Sequence, residues 1–288
     1  MIKKVLLILL LAAIVWGCGH KQYPAATGAT NPIPTTPTPP FGIVHDTFFV
    51  KLPPVPLVPP ATTNPIDSLL YDAHTAGTPN FNLRKPNFVI IHHTAQDSCG
   101  QTFYTFSITR TQVSAHYVIC RDGTIHHLLN NYLRAWHAGN SKWGNVTDIN
   151  SSSIGIELDN NGREPFPTQQ VYALLNLLDT LKKTYNIPTT NFIGHADVAP
   201  TRKDDPSVFF PWKLLSTYGF GLWYDPIPQS LVVPEYFNSL EALRLIGYDT
   251  KDSVKAVIAF KRHFMQDTSR TMSESDKRIL YTLYKKYI

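Results

Sequence analysis

An α/β domain built on a mixed central β-sheet flanked by helices, with a small C-terminal three-helix unit behind it, is predicted by three observations. Short apolar runs recur at 88–94, 116–121, 124–129, 154–159 and 192–195, each of strand length. A strongly periodic helical segment, 168–185, interrupts them. Beyond Pro226-Ile227-Pro228, three helical patterns follow at 234–245, 253–265 and 273–287 without further strands.

The chain opens with Lys3 and Lys4, an apolar run over 5–16 and then Gly17-Cys18. That is the charged start, apolar middle and small-residue end of a secretory signal, too short for a comfortable membrane span. Cys18 in this setting resembles the lipobox cysteine of bacterial lipoproteins, which implies a signal peptide over 1–18 and a lipid anchor on Cys18. Ordinary cleavage or an uncleaved anchor is the alternative. Residues 19–66 are rich in Pro, Thr and Ala, with Pro37-Thr38-Pro39-Pro40 and Pro53-Pro54-Val55-Pro56 among them. Such a stretch favours extended, solvated backbone and reads as a linker.

The roughly 220 residues that remain can hold one sizeable core and a satellite, divided here as 67–225 and 226–288. The net charge is +5, compatible with an anionic polymer. No basic stripe interleaved with aromatics is present in the sequence, which argues against nucleic acid. Of the three cysteines, Cys99 and Cys120 remain once Cys18 is set aside. In an exported protein they are either a disulfide or two buried thiols.

Taken in order, the strand at 88–94 ends in His92-His93-Thr94. A weaker helical pattern covers 101–109. Asp122-Gly123 between the next two strands is a two-residue hairpin signal, so these should be antiparallel neighbours. In 168–185 the apolar positions 171, 174, 175, 178 and 181 share one helix face, Thr168 after Pro167 is a candidate cap, and Pro188 limits the far end. A short helix begins near Pro211-Trp212. In the C-terminal part Gly247 can stop the first helix, and Ser273-Glu274-Ser275-Asp276 carries a capping arrangement for the last.

Two strand ends that carry histidine, with acidic residues following the second, offer two imidazoles and a carboxylate. That is the ligand count of a zinc site with one open position, and an open position suggests a hydrolase. His92 and His195 are the candidate imidazoles; Asp205, Asp204 and Asp197 compete for the carboxylate. A hydrolase also needs a proton acceptor and a group for the oxyanion. Glu157, inside Ile154-Gly155-Ile156-Glu157-Leu158, fits the first role, although simple strand alternation would turn it to solvent. Lys203 fits the second, although most lysines are simply exposed.

Ile91-His92-His93-Thr94, Ser114-Ala115-His116-Tyr117 with Arg121-Asp122-Gly123-Thr124, Ile154-Gly155-Ile156-Glu157, and Gly194-His195-Ala196-Asp197 with Arg202-Lys203-Asp204-Asp205-Pro206 resemble, in order, the zinc N-acetylmuramoyl-L-alanine amidases of the amidase-2 type. The resemblance covers about 67–222. It implies zinc held by His92, His195 and Asp205, with Glu157 and Lys203 catalytic and His93 at a variable position. Ala115 stands where some relatives place a catalytic tyrosine. His116 and Trp136-His137-Ala138-Gly139 resemble substrate-groove elements, with structural support as the alternative. Residues 226–288 resemble the helical peptidoglycan-binding domain attached to lipoprotein members of the family.

These resemblances imply hydrolysis of the amide between the lactyl group of N-acetylmuramic acid, or its anhydro form, and L-alanine of the peptidoglycan stem. A non-catalytic peptidoglycan receptor on the same fold is the runner-up, disfavoured because all three ligand positions are filled. A zinc peptidase would call for a His-Glu-x-x-His helix, which the sequence lacks. A monomer, lipid-anchored in the bacterial envelope at the outer membrane and facing the periplasm, completes the expectation.

Overall fold

Two faces of one five-stranded sheet organise the molecule, whose computed structural model describes residues 82–288. The expected signal peptide, the Cys18 anchor and the linker over 19–66 lie outside the described residues. Strands β1 (Phe88–His93), β2 (Tyr117–Ile119), β3 (Ile125–His127), β4 (Ser153–Leu158) and β5 (Phe192–Gly194) run in the order β3-β2-β4-β1-β5. All neighbours are parallel except β2 and β3, so the sheet is mixed with one antiparallel edge.

Strand parity decides what each face can pack against. Val89, Ile91, Ile154, Ile156 and Leu158 face the long helix α3 (Thr168–Tyr185), whose Val171, Leu174, Leu175, Leu178 and Leu181 are all buried against them. Each fully buried aliphatic side chain there contributes about 1.5–3 kcal/mol of transfer free energy. The helix ends at Asn186 in the left-handed conformation (φ 52°), its N–H bonding Lys182 O. Thr168 is the first helical residue and makes no side-chain cap; Pro167 precedes it in the cap position.

The opposite face carries Phe88, Ile90 and Ile193 and packs against the 138–149 loop and the C-terminal helices. Those helices are α6 (Ser239–Ile246), α7 (Ser253–Met265) and α8 (Glu274–Tyr287). Gly247 at φ 138° ends α6, and Ser273 and Asp276 form the capping box of α8. Leu243, Phe260, Leu280 and Leu283 belong to the same apolar cluster as Phe88 and Ile90, so the helices share a core with the sheet.

Three local features differ from the sequence reading. The β2–β3 turn is a three-residue loop, with Gly123 N bonding Cys120 O, Cys120 N bonding Thr124 O, and Gly123 at φ +87°. Only Gly123 needs the left-handed region, so a type I turn with a bulge replaces the two-residue primed turn. The weak helix begins earlier, as α1 (Cys99–Ser107), and a short α2 (Ile149–Ser152), capped by Asp148, precedes β4. His195 lies not in a strand but at the start of a one-turn helix α4 (His195–Val198), and α5 (Trp212–Thr217) follows.

Candidate metal centre and active site

Parallel β1 and β4 pair His92 with Glu157 directly across the ladder, and β5 delivers His195 just past its last residue. The carboxyl ends of three parallel strands therefore carry the polar side chains, the usual place for a site on such a sheet. Asp205 returns to them because Ala196 N bonds Asp205 O at 2.7 Å, folding the intervening loop back on α4. One ligand atom each from His92, His195 and Asp205 then lies within 4.8 Å of the others, and all three residues are buried. Asp204 is exposed beside them, and Asp197 points away from the cluster into other partners described below.

Hydrogen-bond direction fixes which imidazole nitrogens face inward. Ser153 donates its hydroxyl to Ile149 O at 2.6 Å, so its oxygen must accept from His137 Nε2 at 3.1 Å. His137, in its neutral form, then accepts at Nδ1 from His92 Nε2, 3.1 Å away. His195 likewise donates Nε2–H to Ala138 O at 3.1 Å. Both metal-capable rings are left with an Nδ1 lone pair, at 3.0 Å (His92) and 3.1 Å (His195) from Asp205 Oδ2. Lone pairs converging at these distances without a proton between them fit a cation, and tethering of the outer nitrogen is how metal-bound histidines are ordinarily oriented. The cluster could hold a metal ion.

Burial reinforces this arrangement. Burial, with His195 nearby, holds His92 down at about 4, and burial beside His92 holds His137 well below its ordinary value, so His92 is neutral as ligation would require and His137 is neutral as its acceptor role requires. Burial next to Asp205 pushes the Glu157 carboxyl up to about 8, with Lys203 pulling in the opposite direction. Glu157 Oε1 is 4.0 Å from His92 Nδ1, and Oε2 is buried with no hydrogen-bond partner among the described residues. A carboxyl left unpaired in such a place is a candidate proton carrier.

The cleft over this cluster measures about 320 Å³ and is lined by His92, Glu157, His195, Lys203 and Asp205 together with Trp136 and α1 residues. Trp136 is 53% exposed. Cys99 and Cys120 are bridged, Cα atoms 5.7 Å apart, which ties the start of α1 to the end of β2.

Two expected groove residues have other positions. His116 is fully buried and absent from the cleft wall; its Nδ1 accepts from Gly155 N at 3.0 Å and its Nε2 lies 2.8 Å from Arg84 and 3.1 Å from Leu133 O. It holds the β2–β4 edge together and does not face the cleft. His137 reaches the cleft, but both its nitrogens are engaged, with His92 and Ser153. Its ring lies over Gly155, where a Cβ would come within 2.4 Å of it. Ser153 and Gly155 escaped the sequence reading. Their signal was the period-two row of small residues, Ser153-x-Gly155-x-Glu157, which leaves room on one face for a ring from elsewhere. His93 borders the cleft with its Nδ1 already engaged, accepting from Ser207 N at 3.1 Å.

Residues 82–208 match the family described as N-acetylmuramoyl-L-alanine amidase. The chain is 34% identical over 208 residues to the N-acetylmuramoyl-L-alanine amidase AmiD of Escherichia coli, covering 61% of this chain and 74% of that relative. It is 38% identical over 111 residues to the 1,6-anhydro-N-acetylmuramyl-L-alanine amidase AmpD of Haemophilus influenzae, covering 38% and 60%. The solved complex of E. coli AmiD with its substrate anhydro-N-acetylmuramic acid-L-Ala-D-gamma-Glu-L-Lys superposes with a TM-score of 0.64 at 30% identity, covering 74% of this chain and 93% of that one. AmpDh3 of Pseudomonas aeruginosa in complex with anhydromuramic pentapeptide gives 0.63 at 28% identity, covering 75% and 98%.

Proposed function

Because this chain belongs to the N-acetylmuramoyl-L-alanine amidase family, we propose that His92, His195 and Asp205 hold zinc and that Glu157 and Lys203 carry out the proton and charge work of amide hydrolysis. The bond cleaved joins the lactyl group of N-acetylmuramic acid, or its anhydro form, to L-alanine of the stem peptide. The observation that carries the assignment is the convergence of two imidazole Nδ1 atoms on one carboxylate oxygen, beside a carboxyl whose Oε2 is buried without a hydrogen-bond partner among the described residues.

Zinc bound there would supply Lewis-acid polarisation of the amide carbonyl. Glu157 takes a proton from the attacking water and passes it to the departing amine; a carboxyl raised towards neutrality can do both. Lys203, on the cleft wall, offers its ammonium to the charge that grows on the carbonyl oxygen. Trp136 presents an exposed aromatic face for the apolar parts of the muropeptide. The sequence features at 1–66 support a lipid anchor on Cys18 and a linker. On that reading the enzyme is anchored at the outer membrane and faces the periplasm.

The test is incubation with purified peptidoglycan, with and without chelator, followed by identification of new termini. New L-alanine amino termini that disappear with chelator are expected. Glu157→Gln should lower turnover at least about 100-fold with zinc content unchanged. Binding without cleavage by the unaltered chain would replace the enzyme reading with that of a receptor.

A further inference from the structure

Asp197 follows the proposed ligand His195 by two residues, yet its carboxylate is turned towards the C-terminal part of the chain. Oδ1 accepts from Tyr248 Oη at 2.8 Å, and Oδ2 accepts from His263 Nδ1 at 2.7 Å and from Gly194 N at 2.8 Å. Asp197, Tyr248 and His263 are all buried, at 2%, 2% and 5% exposure. Trp212 stacks on the His263 ring at 3.9 Å and closes this hub.

The hub acts on a piece of structure with little stability of its own. α4 is a single turn of four residues, and an isolated turn does not form without tertiary support. Its first residue is His195 and its third is Asp197, so whatever fixes Asp197 fixes the backbone that aims His195.

The far side of His195 rests on the same helices. Its Nε2 bonds Ala138 O, and the segment beyond Ala138 is pinned by Lys142 N to Val198 O at 2.7 Å and Gly144 N to Gly247 O at 2.7 Å. Trp143 packs its edge on Tyr248 at 4.9 Å and lies flush on Gly247, where a Cβ would meet it at 2.4 Å. The Gly247-Tyr248 corner therefore holds both the turn that presents His195 and the loop whose carbonyl orients its ring.

We infer that Tyr248 and His263 are positioning residues for His195, so that the C-terminal helices complete the metal centre from behind in addition to any part they take in binding peptidoglycan. The inference rests on the zinc reading above. A module that only captured substrate would have no need of buried polar bonds to the turn bearing a ligand.

The test uses the full chain, comparing Tyr248→Phe, His263→Leu and His263→Asn for zinc affinity by competition with a chromophoric chelator, well below each variant's melting temperature. Tyr248→Phe keeps the ring packing and removes one bond to Asp197; its zinc Kd should rise about tenfold, the lower end for lost outer-shell support. His263→Leu should do the same, whereas His263→Asn, which keeps an N–H near the Nδ1 position, should recover most of the affinity. At saturating zinc, kcat should fall with KM within about twofold. Should His263→Leu not fold, Tyr248→Phe decides alone. A zinc Kd within twofold of the unaltered chain in Tyr248→Phe, or a change confined to KM, overturns the inference. Failure of the unaltered chain to bind zinc would overturn the metal reading together with it.

Discussion

Replacing Gly155 by alanine tests the proposed metal centre without touching any side chain in it. The new Cβ would lie 2.4 Å from His137 Cγ, 2.6 Å from Cδ2 and 2.7 Å from Nδ1, against 3.4–4 Å for ordinary contact. The ring must therefore retreat from the sheet by about 1 Å. Its two bonds run to His92 on β1 and Ser153 on β4, each 3.1 Å long. Both partners belong to the sheet, so retreat lengthens both bonds to about 4 Å, beyond hydrogen-bonding range. His92 then loses the partner that fixes its tautomer. Zinc affinity should fall about 10–100-fold, or about 1.4–2.7 kcal/mol, and folding stability by about 1–3 kcal/mol from overpacking. Chelator competition reads the first and denaturant unfolding of the metal-free chain the second. His137→Ala removes the ring that Gly155→Ala collides with, so the double variant should bind zinc no worse than His137→Ala alone. An affinity within twofold of the unaltered chain in Gly155→Ala, or additive losses in the double variant, would refute the account of how His92 is held.

Two further outcomes follow from groups around the cleft. Burial holds the Glu157 carboxyl up to about 8 in the metal-free chain. From about pH 6.5 to 8 the folded state therefore keeps a proton that the unfolded state has lost, and stability falls as pH rises. Relative to Glu157→Gln, the unaltered metal-free chain should lose about 1–2 kcal/mol across that window in urea titrations; parallel pH profiles would place the carboxyl's pKa near its ordinary value. The Cys99–Cys120 bridge joins residues 21 positions apart, so the double serine variant should lose about 3 kcal/mol of stability. Of the α1 residues only Thr102 is buried, so the variant should also raise KM for muropeptide; an unchanged KM would show that α1 holds its place without the bridge.

Much of the fold was legible because its signals are local. The α3 stripe at 171, 174, 175, 178 and 181 needs only the helical period to name its buried face, and the residues there are buried. The strands at 88–94 and 154–159 read from apolar runs alone, since both faces of a central parallel strand are covered. Glu157 was ambiguous for the same reason: alternation says that it shares a face with Gly155 and Ser153, but not whether that face meets water or a site. The register pairing Glu157 with His92 settles the question of its neighbour, and register between strands 65 positions apart has no local signature.

What could not be read lies where the chain crosses itself. Asp197 and Asp205 were both acidic candidates after His195, and proximity favours Asp197. A helical turn decides against it: residues two apart on α4 project in nearly opposite directions, so Asp197 cannot share a metal with His195. Asp205 can, because the loop returns on the Ala196 N to Asp205 O bond. The partners of Asp197 stand 51 and 66 residues downstream, in a stretch whose own pattern reads as a self-contained helical unit. Amphipathic periodicity showed that those helices have buried faces, and it carries no information on which surface buries them. Nothing in the local pattern singles out Tyr248 and His263; the carboxylate they enclose links them to the turn that bears His195. The motif Gly194-His195-Ala196-Asp197 thus joins two tasks on one turn, a proposed ligand facing the cleft and an anchor facing the C-terminal part of the chain, and a change at either side should be felt by the other.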